Sequence, residues 1–160
     1  MSWSVRNLSD LKWWDRAPRG SVAELVEDEN AQVGVNLFVL GPGDPMSMYH
    51  WESDQEDFLV LSGEALLLVE DEERPLRQWD YFHCPPNVPH TIVGAGSGPT
   101  AILAIGAREH QKGKGWGGYP YSELAMQHDA SAPEETTDAK VAYARLPESQ
   151  PGEFREDWLP

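Results

Sequence analysis

Short runs of β-branched and apolar residues, cut from one another by glycine and proline, recur between residues 21 and 107 and restrict the chain to a sandwich or barrel of strands. Val33 to Leu40 is the clearest run: Val33, Val35, Leu37 and Val39 fall on one face, Gly34, Asn36, Phe38 and Leu40 on the other. Neither face is cleanly polar. Phe58 to Leu61 and Ala65 to Val69 are apolar at every position, so both faces of those strands need cover. One face can look into an interior, while the other must meet either the aromatic chain ends or a second copy of the protein, and a homodimer is expected on that ground. Further strands are expected at Ser21 to Glu27, Tyr49 to Glu52, Leu76 to Trp79, Asp80 to Cys84 and Ala101 to Ala107, with a turn at Ser62-Gly63-Glu64 and a charged hairpin tip at Glu70 to Arg74.

The flanks have a different character. Trp3, Trp13 and Trp14 stand among polar residues in the first twenty, and Phe154, Trp158 and Leu159 among charges at the other end, so both ends are expected to lie across the domain. Ser122 is a candidate cap for a short helix through Met126, and Thr137 or Asp138 for another through Tyr143. The expected division is a docking segment at 1–20, a barrel at 21–110, and a loop, short helices and a wrapping tail at 111–160. KGKGWGGYPY, residues 112–121, is glycine-rich and lacks the Gly-Lys-Ser/Thr ending of a phosphate loop.

Charge narrows the partners. The chain has 27 Asp and Glu against 12 Lys and Arg, which argues against nucleic acid and anionic lipid, and each acidic run reads as a solvated loop or face. Cys84 is the single cysteine, so an internal disulfide and a cysteine zinc cluster are both out of reach, in keeping with a reducing compartment. No basic stretch leading into an apolar core opens the sequence, and no apolar run approaches membrane-spanning length. A cytoplasmic protein is expected.

Chemistry concentrates in GPGDPMSMYHWESDQEDFLVLSG, residues 41–63. His50 and Glu52 are two residues apart and share a strand face; Glu56 opens the next run, on the face of Phe58 and Val60. Downstream, Pro85, Pro86 and Pro89 stiffen the approach to His90. Counting by twos turns Phe82, Cys84 and Ile92 inward with His90, and with Phe58 they are the expected pocket lining. Cys84 reads as a small buried hydrophobe rather than a nucleophile, because no base is identifiable beside it. His83, His110 and His128 are expected at the surface or in packing, and Tyr49 and Trp51 in core or dimer contacts.

The two stretches together resemble the cupin superfamily of jelly-roll barrels. Its first motif runs Gly, about five residues, His-x-His, three or four residues, Glu, six residues, Gly; here Gly43, His50-Trp51-Glu52, Glu56 and Gly63 take those places. Its second motif, Gly, five residues, Pro-x-Gly, two residues, His, three residues, Asn, reads here Trp79, Pro85-Pro86-Asn87, His90 and Gly94. Glu52, Trp79, Asn87 and Gly94 depart from the pattern, and Asn87 does so mildly because Asn tolerates left-handed backbone.

The resemblance implies an all-β jelly roll holding a divalent transition metal on His50, Glu56 and His90, with Glu52 in the fourth ligand place or turned outward. Two imidazoles and a carboxylate suit non-heme iron, and manganese, nickel or zinc would also fit. With Glu52 bound as well, two carboxylates would balance a divalent charge and lower the pull on an anionic substrate. The bland alternative is a pair of buried histidines hydrogen-bonded to Glu52 and Glu56 without an ion. Three functions follow: a metal-dependent oxygenase- or isomerase-like enzyme on a small organic molecule, a metal-free acid/base catalyst like sugar-modifying cupins, or a small-molecule binding module without turnover. No residue is singled out as catalytic.

Overall fold

A computed structural model describes residues 3–111 and 113–159; of the segments expected above, Met1, Ser2, Lys112 and Pro160 fall outside it. In chain order the strands are β1 (Trp13–Asp15), β2 (Ser21–Glu24), β3 (Val33–Leu40), β4 (Trp51–Glu52), β5 (Glu56–Ser62), β6 (Glu64–Val69), β7 (Glu72–Arg77), β8 (Tyr81–Cys84), β9 (His90–Ala95), β10 (Thr100–Ala107), β11 (Gly117–Gly118) and β12 (Gln150–Gly152). Two single-turn helices, α1 (Glu123–Met126) and α2 (Ala139–Ala142), follow β11. Ser122 and Asp138 cap them, each side-chain oxygen accepting a backbone N–H in the first turn.

Seven strands form one sheet in the order β12-β1-β2-β3-β10-β5-β8, and β7-β6-β9 form a second; β4 and β11 pair separately. Every ladder is antiparallel, and the two sheets close over a shared interior as a jelly roll. β5 and β6 are consecutive and apolar yet belong to different sheets, because Gly63 turns the corner with a φ of 78°. A Cβ there would stand 2.5 Å from the carbonyl oxygen of Pro99, so only glycine fits.

Alternation sorts the residues. Leu40, Phe58, Ala65, Leu67, Cys84, Ile92 and Ile102 fill the interior between the sheets. Leu37, Val39 and Ala101 point out of the large sheet and are covered by Trp13, with Leu8 and Leu11 from one chain end and Phe154, Trp158 and Leu159 from the other. Trp13 is 2% exposed, and its ring lies 4.9 Å from that of Trp158 and 5.9 Å from that of Phe154. The small sheet's outer residues Leu68 and Val93 are covered by Tyr49, Ala125 and Ala130. Cover for the doubly apolar strands therefore comes from this chain's own ends, from Tyr49 and from α1 with the residues after it. Trp3, by contrast, is 89% exposed.

Trp79 and Asn87 occupy places where the resembled motif has glycine, and both keep a glycine-like backbone, with φ of 75° and 66°. The Trp79 N–H donates to Val60 O at 2.8 Å while its ring lies outside, 65% exposed. The turn survives the substitution with its side chain in solvent.

Candidate metal centre

His50 and His90 are cross-strand partners. The N–H of each donates to the carbonyl of the other, at 3.1 and 2.8 Å, in an isolated antiparallel bridge that extends the small sheet beyond β9. The pairing sets the two rings 5.0 Å apart on the interior side. Glu56 comes from the opposite wall, at the start of β5, where it pairs with Cys84 on one side and Gly106 on the other. The ligand atoms of His50, Glu56 and His90 all fall within 4.8 Å of one another. Their site thus spans the gap between the sheets.

Each imidazole is oriented from behind. His50 Nδ1 lies 2.9 Å from Met48 O and His90 Nδ1 3.0 Å from Val88 O. A carbonyl oxygen can only accept, so each Nδ1 carries its proton, and Nε2 is the ring atom that faces the centre, with a lone pair to offer when the ring is neutral. Those Nε2 atoms stand 3.8 and 3.4 Å from Glu56 Oε2. Glu56 Oε2 and His90 Nε2 are both fully buried and have no hydrogen-bond partner among the described residues. Three acceptors facing one another without a proton or cation repel, so the donor set fits a divalent ion. Glu52 Oε1 lies beside this group, 3.6 Å from His50 Nε2.

The acid-base balance is unequal across the cluster. Burial, joined by the nearby His50, pushes the His90 pKa down to about 3, which keeps that ring neutral. Burial also opposes charge on His50, but Glu52 and Glu56 outweigh it and raise that pKa above the ordinary value. Burial pushes Glu56 up to about 7, with Glu52 adding to the rise and His50 opposing it.

Phe58 and Phe82 stack at 5.7 Å and set their rings against His90 at 5.3 and 5.8 Å. Phe58 is a wall of the cavity of about 260 Å³ that opens from the cluster, together with Phe38, Met46 and Asn36. Cys84 and Ile92 are buried in the interior cluster with Phe82 packed against it, behind the cavity surface. The Cys84 sulfur lies 3.3 Å from His90 Nδ1, and burial pushes its thiol up to about 12, so it packs and does not attack.

Sequence reasoning missed three contributors. The Tyr119 ring stacks on His50 at 5.9 Å, Tyr143 lines the cavity and takes the Met48 N–H at 3.1 Å, and Arg16 enters the same cavity. Tyr119 follows β11, whose Gly117 and Gly118 pair with Glu52 and Trp51. A Cβ on Gly118 would lie 2.8 Å from the Trp51 ring, so glycine lets this strand press flat against the motif strand. The glycines of residues 113–118 were the visible trace of that close approach.

Residues 36–106 match the cupin domain family. The barrel has the cupin fold, and the family match covers just under half of the chain. The 3-hydroxyanthranilate 3,4-dioxygenase of Xanthomonas oryzae pv. oryzae is 31% identical over 90 residues, 53% of this chain and 51% of that protein. A second such dioxygenase, from Xanthomonas euvesicatoria, is 36% identical over 64 residues, covering 38% of this chain and 36% of that one. The chain thus spans about half the length, or less, of the curated relatives it matches. Among solved structures, a sugar phosphate isomerase of the cupin superfamily from Silicibacter pomeroyi superposes with a TM-score of 0.60 at 24% identity, over 66% of this chain and 76% of that one. A polyketide cyclase from Streptomyces resistomycificus does so with a TM-score of 0.58 at 15% identity, over 66% of this chain and 80% of that one. Likeness at that identity speaks for the cupin fold alone. No helix among the described residues is long and apolar enough to cross a membrane.

Proposed function

We propose that this cupin is a metal-dependent, oxygenase-like enzyme acting on a small organic molecule, with a divalent transition ion held by His50, Glu56 and His90 and flanked or also bound by Glu52. The observation that carries the reading is the convergence of two buried, unpartnered ligand atoms, Glu56 Oε2 and His90 Nε2, on the free Nε2 of His50. The oxygenase half of the proposal draws on the dioxygenases this chain resembles over half its length. Iron suits the two-histidine, one-carboxylate set best, with manganese, nickel and zinc as the other candidates. A bound ion would act as a Lewis acid toward a substrate oxygen and offset the Glu56 charge. The chain's own part is to orient: carbonyls of Met48 and Val88 fix the rings, and Phe58 and Phe82 pack against His90. A Glu56 pushed up to about 7 also suits proton transfer, which keeps a metal-free acid/base catalyst as the second reading.

Metal analysis decides between them. Wild-type protein reconstituted with ferrous iron, manganese, nickel or zinc should hold close to one equivalent of one ion, and His90→Ala should fall below about a tenth while still unfolding cooperatively. Wild-type protein that stays below about a tenth of an equivalent with all four ions would exclude the metal reading. Oxygen uptake on adding substrate then separates an oxygenase from an isomerase or a binder.

A further inference from the structure

Arg16 and Arg108 both line the cavity, as do Glu52 and Glu56, and Arg16 is the arginine of the lining with a buried nitrogen that lacks a partner among the described residues. Arg16 opens the hairpin loop between β1 and β2, with its N–H on Gly20 O and its carbonyl taking the Arg19 N–H, each at 2.9 Å. Its parity follows Trp14, Val22 and Phe38 across the ladder, which turns the side chain to the interior. There Nη1 donates to Met46 O at 3.1 Å and Nη2 to Arg19 O at 2.9 Å, and Cζ sits 4.9 Å from the centre of the Phe38 ring. Nε is buried and has no acceptor among the described residues. No ion pair among the described residues involves Arg16, or Arg108 in the same lining. A desolvated cation held in place by two carbonyls, with N–H groups to spare, is set to receive an anion.

The neighbouring group matches. Asn36 lines the same cavity, and its Oδ1 is buried without a donor. A ligand that satisfied both would carry an anionic acceptor and, nearby, a hydroxyl or amino donor. Phe38, Met46 and Phe58 supply apolar walls for its body, and about 260 Å³ admits a molecule of roughly one ring, at or just below the usual lower bound for ligand cavities. The guanidinium fork takes a carboxylate or a phosphate through two parallel N–H···O bonds, and the small cavity favours the smaller, singly charged carboxylate.

We propose that Arg16 anchors the carboxylate of the substrate, so that the molecule acted on is a small organic acid with a flat apolar body. This deepens the proposed function, since it assumes that the lumen is the substrate site. Arg16 lies outside the residues matched to the cupin family, so the specificity-determining group is supplied by the segment that precedes the matched barrel.

Benzoate, benzamide and phenyl phosphate, titrated calorimetrically into the full chain both with its metal and after chelator dialysis, form the test. Benzoate should bind about ten- to a hundredfold more tightly than benzamide in both forms. Arg16→Met should abolish that preference, and Arg16→Lys, which keeps the charge without the fork, should retain part of it. Metal content should be unchanged in either variant. Equal binding of benzoate and benzamide, a preference that survives Arg16→Met, tighter binding of phenyl phosphate than of benzoate, or no saturable benzoate binding up to about 10 mM each overturns the assignment. Should Arg16→Met not fold, the wild-type and Arg16→Lys ratios still decide it. A protein that takes up no metal yet shows the Arg16-dependent preference would remove the metal reading and leave this one standing.

Discussion

The two faces of the large sheet are built from the same strands and treat polar atoms in opposite ways. Outward, Leu37, Val39 and Ala101 pack with apolar and aromatic side chains, and the polar edge of the covering Trp13 is satisfied by Leu8 O at 3.0 Å. Inward, Asn36 and Glu56 keep buried polar atoms without partners in and around one cavity, and Glu56 faces the equally unpartnered His90 of the small sheet. A closed face gains stability by leaving nothing unpaired; an open one leaves groups for a ligand or ion to complete. Adjacent residues of a single strand, Asn36 and Leu37, sit on either side of that division.

The largest effect is expected on the closed side. Trp13→Ala removes the indole at the centre of the outer cluster and should lower the unfolding free energy by about 3–5 kcal/mol in a urea titration, while metal uptake stays at the wild-type level. Loss of metal in that variant would break the separation of the two faces. The neighbour pair sharpens it: Leu37→Ala should cost about 2–5 kcal/mol, whereas Asn36→Ala, which deletes an acceptor with no donor, should change stability by no more than about 1 kcal/mol and toward greater stability. Comparable losses for both would mean that Asn36 is a structural residue.

The smallest effect lies at the outer rim. Asp57, on the solvent side of β5, accepts from Tyr81 Oη and Gln55 Nε2 at 2.6 Å and faces His83 Nδ1 at 2.8 Å. Slight burial opposes its charge, but these hydrogen bonds outweigh it and lower the pKa. A carboxyl depressed in the folded state stabilises above its unfolded pKa and loses that contribution as pH falls through the folded one. Asp57→Asn should therefore cost less than about 1 kcal/mol at neutral pH, with the gap from wild type closing below about pH 4. A gap that widened on acidification would contradict the assigned sign.

Local pattern carried most of the strands and little of their assembly. β3, β5, β6 and β10 stand where apolar alternation or continuous apolar runs placed them, and Ser122 and Asp138 cap the helices as their side chains allow. The close grouping of His50, Glu56 and His90 was readable because the spacing of a known motif encodes a three-dimensional arrangement that residue chemistry alone does not. What escaped was long-range pairing. Nothing local in Gly117-Gly118 says that it lies against Trp51 and Glu52, and nothing in Arg16 says that a hairpin 30 residues upstream of Met46 delivers it to the lumen. The corner at Gly63 is similar: a turn was evident, but that it separates two sheets depends on packing elsewhere.

β12 lies along β1, with Trp13 opposite Gly152 and Asp15 opposite Gln150. It occupies the rim of the large sheet and helps to hold the C-terminal aromatics over Trp13. Proteolytic clipping after Ser149 would strip a row of backbone donors and acceptors bare beside an uncovered indole. The shortened chain would then present an adhesive margin for strand-to-strand growth, and its hazard would be precipitation before loss of chemistry.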